Sequence, residues 1–164
     1  MIKNIVFVLT GIMLSSGVVF AKAYFSPKDE MLERASVIAV VDIIKVEDFS
    51  EKGKTWTYKQ KITAKVEQVI KGDLGKEIHI YGGETFICAQ CHYESGKTLV
   101  FLRRDGDFWV CSNWHFSNRP IKDDMVEWYK IGSDNIYELE YQPLNDVLKE
   151  IRSNLARREA ESNY

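Results

Sequence analysis

The feature that most constrains the fold is a series of short β-type segments separated by turn residues. The first is a β-branched run at 37–46, whose length and apolar content indicate a strand buried on much of both faces. Alternating apolar and polar residues at 56–70 predict a second, half-buried strand. Its inner side is expected to carry Ile62, Ala64, Val66 and Ile70.

Further β-type segments follow along the chain. A third strand is predicted at 77–81, ending at Gly82-Gly83. Segments 98–102 and 108–111 flank a loop with Asp105-Gly106 at its tip, so we expect them to pair as a hairpin. Weaker strand signals lie at 126–131 and 136–141 on either side of Gly132.

Two helices are expected to flank the strands. Ser26 as N-cap and Pro27 at the first helical position predict a short helix that continues to Arg34. A one-sided apolar stripe predicts an amphipathic C-terminal helix over 143–160; its members are Leu144, Val147, Leu148, Ile151 and Leu155. Five or six short strands with a helix at each end predict a mainly β, small closed structure, with an open β-sandwich as the alternative.

The N-terminus has the pattern of a secretory signal peptide. Lys3 forms a positive n-region, an apolar run covers 5–20, and Ala21-Lys22-Ala23 supplies small residues for signal peptidase. Cleavage after Ala23 defines residues 1–23 as the signal peptide and 24–164 as a single mature domain, although cleavage after Ala21 also fits. The apolar run is shorter than a membrane-spanning helix needs and no second run follows, so we expect no transmembrane segment after cleavage.

The charge of the mature chain bears on its partners. Cleavage removes two basic residues and no acidic one, so the 22 basic residues fall to 20 against 24 acidic ones, a net charge of −4. A nucleic-acid partner requires the opposite sign, because phosphate contacts supply most of that affinity. We therefore expect a periplasmic or secreted protein with no nucleic-acid partner.

The three cysteines allow more than one chemistry. In an oxidising compartment a disulfide is the default, and either Cys88 or Cys91 could reach Cys111. Cys88, Cys91 and His92 also match the Cys-x-x-Cys-His pattern of covalent haem c attachment, with His92 as proximal ligand. A third possibility is a zinc site formed by Cys88, Cys91, Cys111 and His115, because two close pairs of sulfur and imidazole ligands suit tetrahedral Zn²⁺. We expect the disulfide and no cofactor; haem c and zinc are the alternatives.

The order of these pieces resembles the TIMP-like or netrin-like group of exported OB-fold domains, over about residues 35–128. The resemblance rests on the opening strand 35–41, the strand and Lys-Gly turn at 66–72, and Ser95 to Leu102 between flanking cysteines. It implies an OB-like β-barrel and a bond from the Cys88/Cys91 segment to Cys111. Metalloproteinase inhibitors of this group chelate the protease zinc through an N-terminal Cys. The mature chain would begin at Tyr24 or Lys22, so we do not expect inhibition through chelation by an N-terminal Cys.

No catalytic motif stands out in the sequence: Gly-rich phosphate loops, Gly-x-Ser-x-Gly elbows and His-Glu-x-x-His helices are absent. We therefore expect a non-enzymatic, exported module that binds another exported or envelope protein, with a haem electron-transfer protein or a Cys/His metal-binding protein as the alternative. The candidate contact residues are Gly82, Gly83, Trp114, His115, Phe116 and Arg119. A disulfide between Cys111 and either Cys88 or Cys91 should bring the segments that carry them together.

Overall fold

The computed structural model describes residues 22–162, so the predicted signal peptide lies almost entirely outside the described residues. The helices and strands in chain order are α1 (Lys28–Arg34), β1 (Val37–Lys52), β2 (Thr57–Lys71), β3 (Glu77–Gly82), β4 (Gly96–Asp105), β5 (Phe108–Cys111), a 3₁₀ turn (Trp114–Ser117), β6 (Asn118–Lys122), β7 (Met125–Tyr129), β8 (Leu139–Pro143) and α2 (Leu144–Ser162). Within these described residues no helix is both long enough and apolar enough to cross a membrane.

Five strands close into a barrel in the order β1-β2-β3-β5-β4, with β4 pairing back onto β1. The β3–β5 contact is parallel, and the other four barrel pairings are antiparallel. This order and closure confirm the predicted OB-like barrel rather than an open sandwich. The hairpin prediction is also confirmed, since Leu102 pairs with Cys111 and Asp105 pairs with Phe108.

The first part of β1, up to Ile43, is buried on both faces, as its apolar content indicates, whereas Ile44 and most residues after it are exposed or half-buried. Val37, Ala39 and Val41 point into the barrel, where they meet Ile62 and Ala64 of β2. The alternate residues of β1 pack outside the barrel against the helices; these are Ile38 and Val40.

One residue of the predicted inner face of β2 lies elsewhere. Ile62 and Ala64 are in the barrel core, and Val66 packs against its edge. Ile70 instead packs on the outer cluster beside the helices. The β1–β2 ladder shifts register between Ile38 and Ala39, and an irregularity of this kind changes which face the following side chains share.

A three-stranded extension and both helices cover the outside of the barrel. Strand β6 pairs with the first half of β4, and β7 and β8 continue from it. The sequence did not indicate β6, because Pro120 lies inside it and proline disfavours a strand. Glu150 of α2 ties the layer together: it accepts hydrogen bonds from the Trp128 indole (2.9 Å) and from Lys28 Nζ (2.7 Å).

The helix boundaries differ slightly from the predicted ones. Helix α1 begins at Lys28 with Pro27 as its N-cap, so the prediction of Ser26 as N-cap is wrong. Ser26 is buried instead, where its backbone N–H and C=O form two hydrogen bonds of 2.9 Å with the Asn113 side chain. Those bonds fix the N-terminal segment to the loop after β5.

Candidate functional site

A disulfide joins Cys91 and Cys111, which are 20 residues apart and both buried. It links the segment before β4 to the end of β5. The Tyr93 hydroxyl lies 2.9 Å from the Cys111 sulfur, and burial raises the pKa of Tyr93 well above its ordinary value. Cys88 lies outside the disulfide with an exposed side chain. The structure therefore selects Cys91, which the sequence could not distinguish from Cys88.

The residues of the haem and zinc alternatives are arranged for other contacts. Cys91 and Cys111 have no thiolate in the disulfide form. His115 packs against the rings of Phe25 and Phe116, with ring centroids 5.4 and 4.2 Å away. Across residues 22–162, no group of three or more His, Cys, Asp or Glu side chains is placed to hold a metal ion. Haem attachment or zinc coordination through these sulfurs would first require reduction of the disulfide.

The segment between β3 and β4 is anchored at its base. The buried Glu84 carboxylate accepts a hydrogen bond from the Cys91 backbone N–H (2.7 Å), and Gly83 N–H donates to the Cys91 carbonyl (2.8 Å). A Cβ on Gly82 would lie 2.5 Å from that same carbonyl and 2.9 Å from the Tyr93 ring. Gly82 and Gly83, predicted as contact residues, are buried. Their close approach to Cys91 and Tyr93 holds the segment near the disulfide.

Three aromatic rings from separate parts of the chain meet above this base. Phe86 lies 5.0 Å from Trp56 and 5.1 Å from Trp114, measured between ring centroids. The Trp114 indole donates to the Tyr24 carbonyl (3.3 Å), and Trp114 adopts φ +52°, which is uncommon for a bulky residue. Ile87, next to Phe86, is 96% exposed. We call these five residues, Tyr24, Trp56, Phe86, Ile87 and Trp114, the barrel-end surface.

A small pocket of about 60 Å³ shares part of the barrel-end surface. It is lined by Tyr24, Arg34, Trp56, Tyr58, Glu84, Arg103, Cys111, Ser112 and Trp114. Burial raises the pKa of Glu84, although hydrogen bonds from the backbone amides of Cys91 and Glu84, and the charges of His92 and Arg103, oppose that shift. The pocket thus combines aromatic walls with one buried acid and two arginines.

The predicted contact residues that follow β5 separate into two groups. Trp114 belongs to the barrel-end surface, and His115 is exposed beside it. Phe116 is buried, and Arg119 is only 4% exposed, with its guanidinium 3.2 Å from Glu127 and 5.2 Å above the Phe116 ring. Phe116 and Arg119 are therefore buried packing residues beneath the 3₁₀ turn rather than surface residues.

The site predicted from the sequence did not include Tyr24, Trp56 or Arg103. The sequence near Trp56 does offer a clue to its position, because this large aromatic residue lies just after the polar turn that contains Gly53. The sequence near Tyr24 and near Arg103 offers no such clue, because the residues that surround them at the site come from distant parts of the chain.

No family model matches the chain, and no match is found among the curated proteins or the solved structures. Membership of the TIMP-like or netrin-like group therefore stays a prediction from the sequence.

Proposed function

We propose that the chain is an exported, non-enzymatic, TIMP-like or netrin-like module that binds another exported or envelope protein through the barrel-end surface. The observation that carries this proposal is Ile87, an almost fully exposed apolar side chain beside the stacked rings of Phe86 and Trp114. Exposed apolar patches mark protein–protein interaction sites, and tryptophan is among the residues that dominate binding energy in protein interfaces.

The anchoring of the loop supports a binding role. The disulfide, the Glu84 bond to Cys91 and the pairing of Thr85 N–H with the Thr57 carbonyl (2.9 Å) hold the segment that carries Ile87. A loop that is already ordered loses less conformational entropy when a partner binds. The same free energy of contact then yields a higher affinity.

The buried carboxylates near the surface support binding rather than catalysis. Glu84 accepts hydrogen bonds from backbone amides. Asp105 accepts from the Tyr58 hydroxyl (2.7 Å) and from the Thr55 hydroxyl (2.7 Å). Catalysis requires a base within reach of a nucleophile or substrate. These two acids are instead used to fix the loops.

Export is supported by the disulfide and by the N-terminal sequence. Disulfides persist in oxidising compartments such as the periplasm or the extracellular space. The excess of acidic residues supports a protein partner rather than a nucleic acid. Protease inhibition is a narrower form of the proposal, and it would need a mechanism other than chelation by an N-terminal Cys.

The test compares two charge substitutions at exposed isoleucines. Ile87→Glu changes the barrel-end surface, and Ile131→Glu changes a residue that is 86% exposed on the turn after β7. The native protein and both variants are produced in a host that exports them, chemically cross-linked in place, and purified by an affinity tag. We expect the native protein and Ile131→Glu to capture the same envelope protein, and Ile87→Glu to capture at least about tenfold less. Equal capture by Ile87→Glu and Ile131→Glu, with both variants folded by circular dichroism, would contradict the proposal.

A further inference from the structure

The pocket in the barrel-end surface has an excess of positive charge. Arg34 and Arg103 line it, against the single acid Glu84. Arg34 is already engaged, since its Nη1 donates to Glu30 (3.1 Å) and to the Ser26 hydroxyl (3.0 Å). Arg103 donates only to the Arg104 carbonyl at 3.3 Å, and it makes no ion pair within residues 22–162. The guanidinium of Arg103 therefore retains donors for a ligand.

The size and walls of the pocket restrict that ligand. A cavity of about 60 Å³ holds a group of only a few atoms. Trp56 and Trp114 form part of the wall. Apolar surroundings lower the local dielectric constant, which strengthens electrostatic attraction. A guanidinium presents parallel N–H donors that match the two oxygens of a carboxylate.

We infer that this pocket binds the carboxylate of an aspartate or glutamate side chain of the partner protein, with Arg103 as its main donor. The inference rests on the proposed function and adds the chemistry of the contact. The partner segment would combine this acidic side chain with an apolar residue placed against Ile87 and Phe86.

Glu84 does not block such a ligand. Its Oε2 is turned to the Cys91 backbone N–H at 2.7 Å. Its raised pKa means that Glu84 keeps a proton at a higher pH than an exposed glutamate does, which weakens its repulsion of a second carboxylate.

The test uses small capped amino acids as probes and the tryptophan indole N–H signals in ¹⁵N–¹H spectra as the readout. N-acetyl-glutamate N-methylamide carries the side-chain carboxylate, and N-acetyl-glutamine N-methylamide is its neutral match. We expect the capped glutamate to produce saturable shifts at Trp56 and Trp114. The Trp128 indole should not move, because it is buried and bonded to Glu150. Equal shifts with the capped glutamine, or shifts of the same size at Trp128, would overturn the inference.

A matched pair of variants identifies the donor. Arg103→Gln removes the charge in the pocket, whereas Arg104→Gln removes the neighbouring exposed charge, whose guanidinium lies 3.8 Å above the Trp109 ring. We expect Arg103→Gln to weaken binding of the capped glutamate about tenfold or more, and Arg104→Gln to leave it within twofold. Unchanged affinity in a folded Arg103→Gln protein would refute the role of Arg103. Tighter binding of N-acetyl-alanine than of capped glutamate would assign the pocket to a chain-terminal carboxylate instead.

These results are independent of the cross-linking test. If Ile87→Glu loses the partner but the capped glutamate does not bind, the carboxylate inference fails and the proposed function stands. If Ile87→Glu retains the partner, the proposed function fails whatever the probe does.

Discussion

Replacing Asp105 with alanine is expected to destabilise the protein strongly, because this one carboxylate holds the β1–β2 turn to the barrel. Asp105 is 3% exposed and accepts from the Tyr58 hydroxyl (2.7 Å), the Thr55 hydroxyl (2.7 Å) and the Thr55 backbone N–H (3.1 Å). The turn also carries Trp56, so the substitution should loosen part of the barrel-end surface.

The magnitude follows from the three bonds. Tyr58 is fully buried, so loss of its acceptor leaves an unpaired hydroxyl, which costs about 2 kcal/mol. The two bonds from Thr55 lie nearer to solvent and add about 1 kcal/mol each. Asp105→Ala should therefore lower the free energy of unfolding by about 4 kcal/mol, a large share of the 5–15 kcal/mol that is typical of single domains.

A double-mutant cycle with Tyr58→Phe isolates the main contact, because phenylalanine keeps the ring that packs against Phe108. Unfolding in urea, with the disulfide intact, gives the four free energies at pH 7. We expect a coupling energy of about 2 kcal/mol between Asp105 and Tyr58. A coupling below about 0.5 kcal/mol would refute the assigned role of the Tyr58 hydroxyl.

The loss of stability in Asp105→Ala is expected to depend on pH. Burial alone would raise the pKa of Asp105, but hydrogen bonds from Tyr58 and Thr55 outweigh it and hold the pKa below its usual value. A lowered folded-state pKa contributes stability that is present above the unfolded value of about 3.9 and is lost as the pH falls through the folded value. The difference between wild type and Asp105→Ala should therefore shrink below about pH 4. A difference in unfolding free energy that stays constant from pH 7 to pH 3 would contradict the lowered pKa of Asp105.

Two further predictions concern the base of the β3–β4 segment. Gly82→Ala should lower the free energy of unfolding by about 2 kcal/mol or more, since its Cβ would collide with the Cys91 carbonyl. Gly75→Ala should lower it by less than about 0.5 kcal/mol, because its Cβ would have no neighbour closer than 3.8 Å. Thermal unfolding of the two variants compares them. Burial is the main cause of the raised pKa of Glu84. The stability that this shift contributes is present below the unfolded pKa of about 4.3 and is lost as the pH rises through the folded pKa. Glu84→Gln should therefore gain stability relative to wild type between pH 4 and pH 7, as measured by unfolding in urea. An unchanged difference over that range would show that Glu84 does not titrate there.

The fold was largely predictable because most of its elements have local signals. The run at 37–46 has too many β-branched residues on both faces for a surface strand, and its part up to Ile43 is the part of β1 that is buried on both faces. The loop at Asp105-Gly106 brings β4 and β5 together, with Gly106 at φ +66° as a tight turn requires. Strand β6 was not predictable, since it gains its pairing from β4 rather than from its own propensity.

The candidate site was predictable only in outline. The sequence indicated that the segments around Gly82 and Trp114 would meet through a disulfide, and Phe86 and Trp114 do stack. It did not show that Arg119 would be buried beside Glu127, because its neighbours in sequence are polar or turn-forming. Nor did it indicate Arg103, which lies in a strand whose other residues are mostly core.

By itself the sequence determined the alternation of strands and turns, the amphipathic helix α2 and the presence of cysteines able to bond, because each depends on residues close together in the chain. Only the tertiary structure decided that β3 would lie parallel to β5, that Cys91 rather than Cys88 would bond Cys111, and that Tyr24 and Trp114 would meet. These contacts join residues far apart in the chain. Their partners are selected by the closure of the barrel, which depends on the packing of all five strands at once.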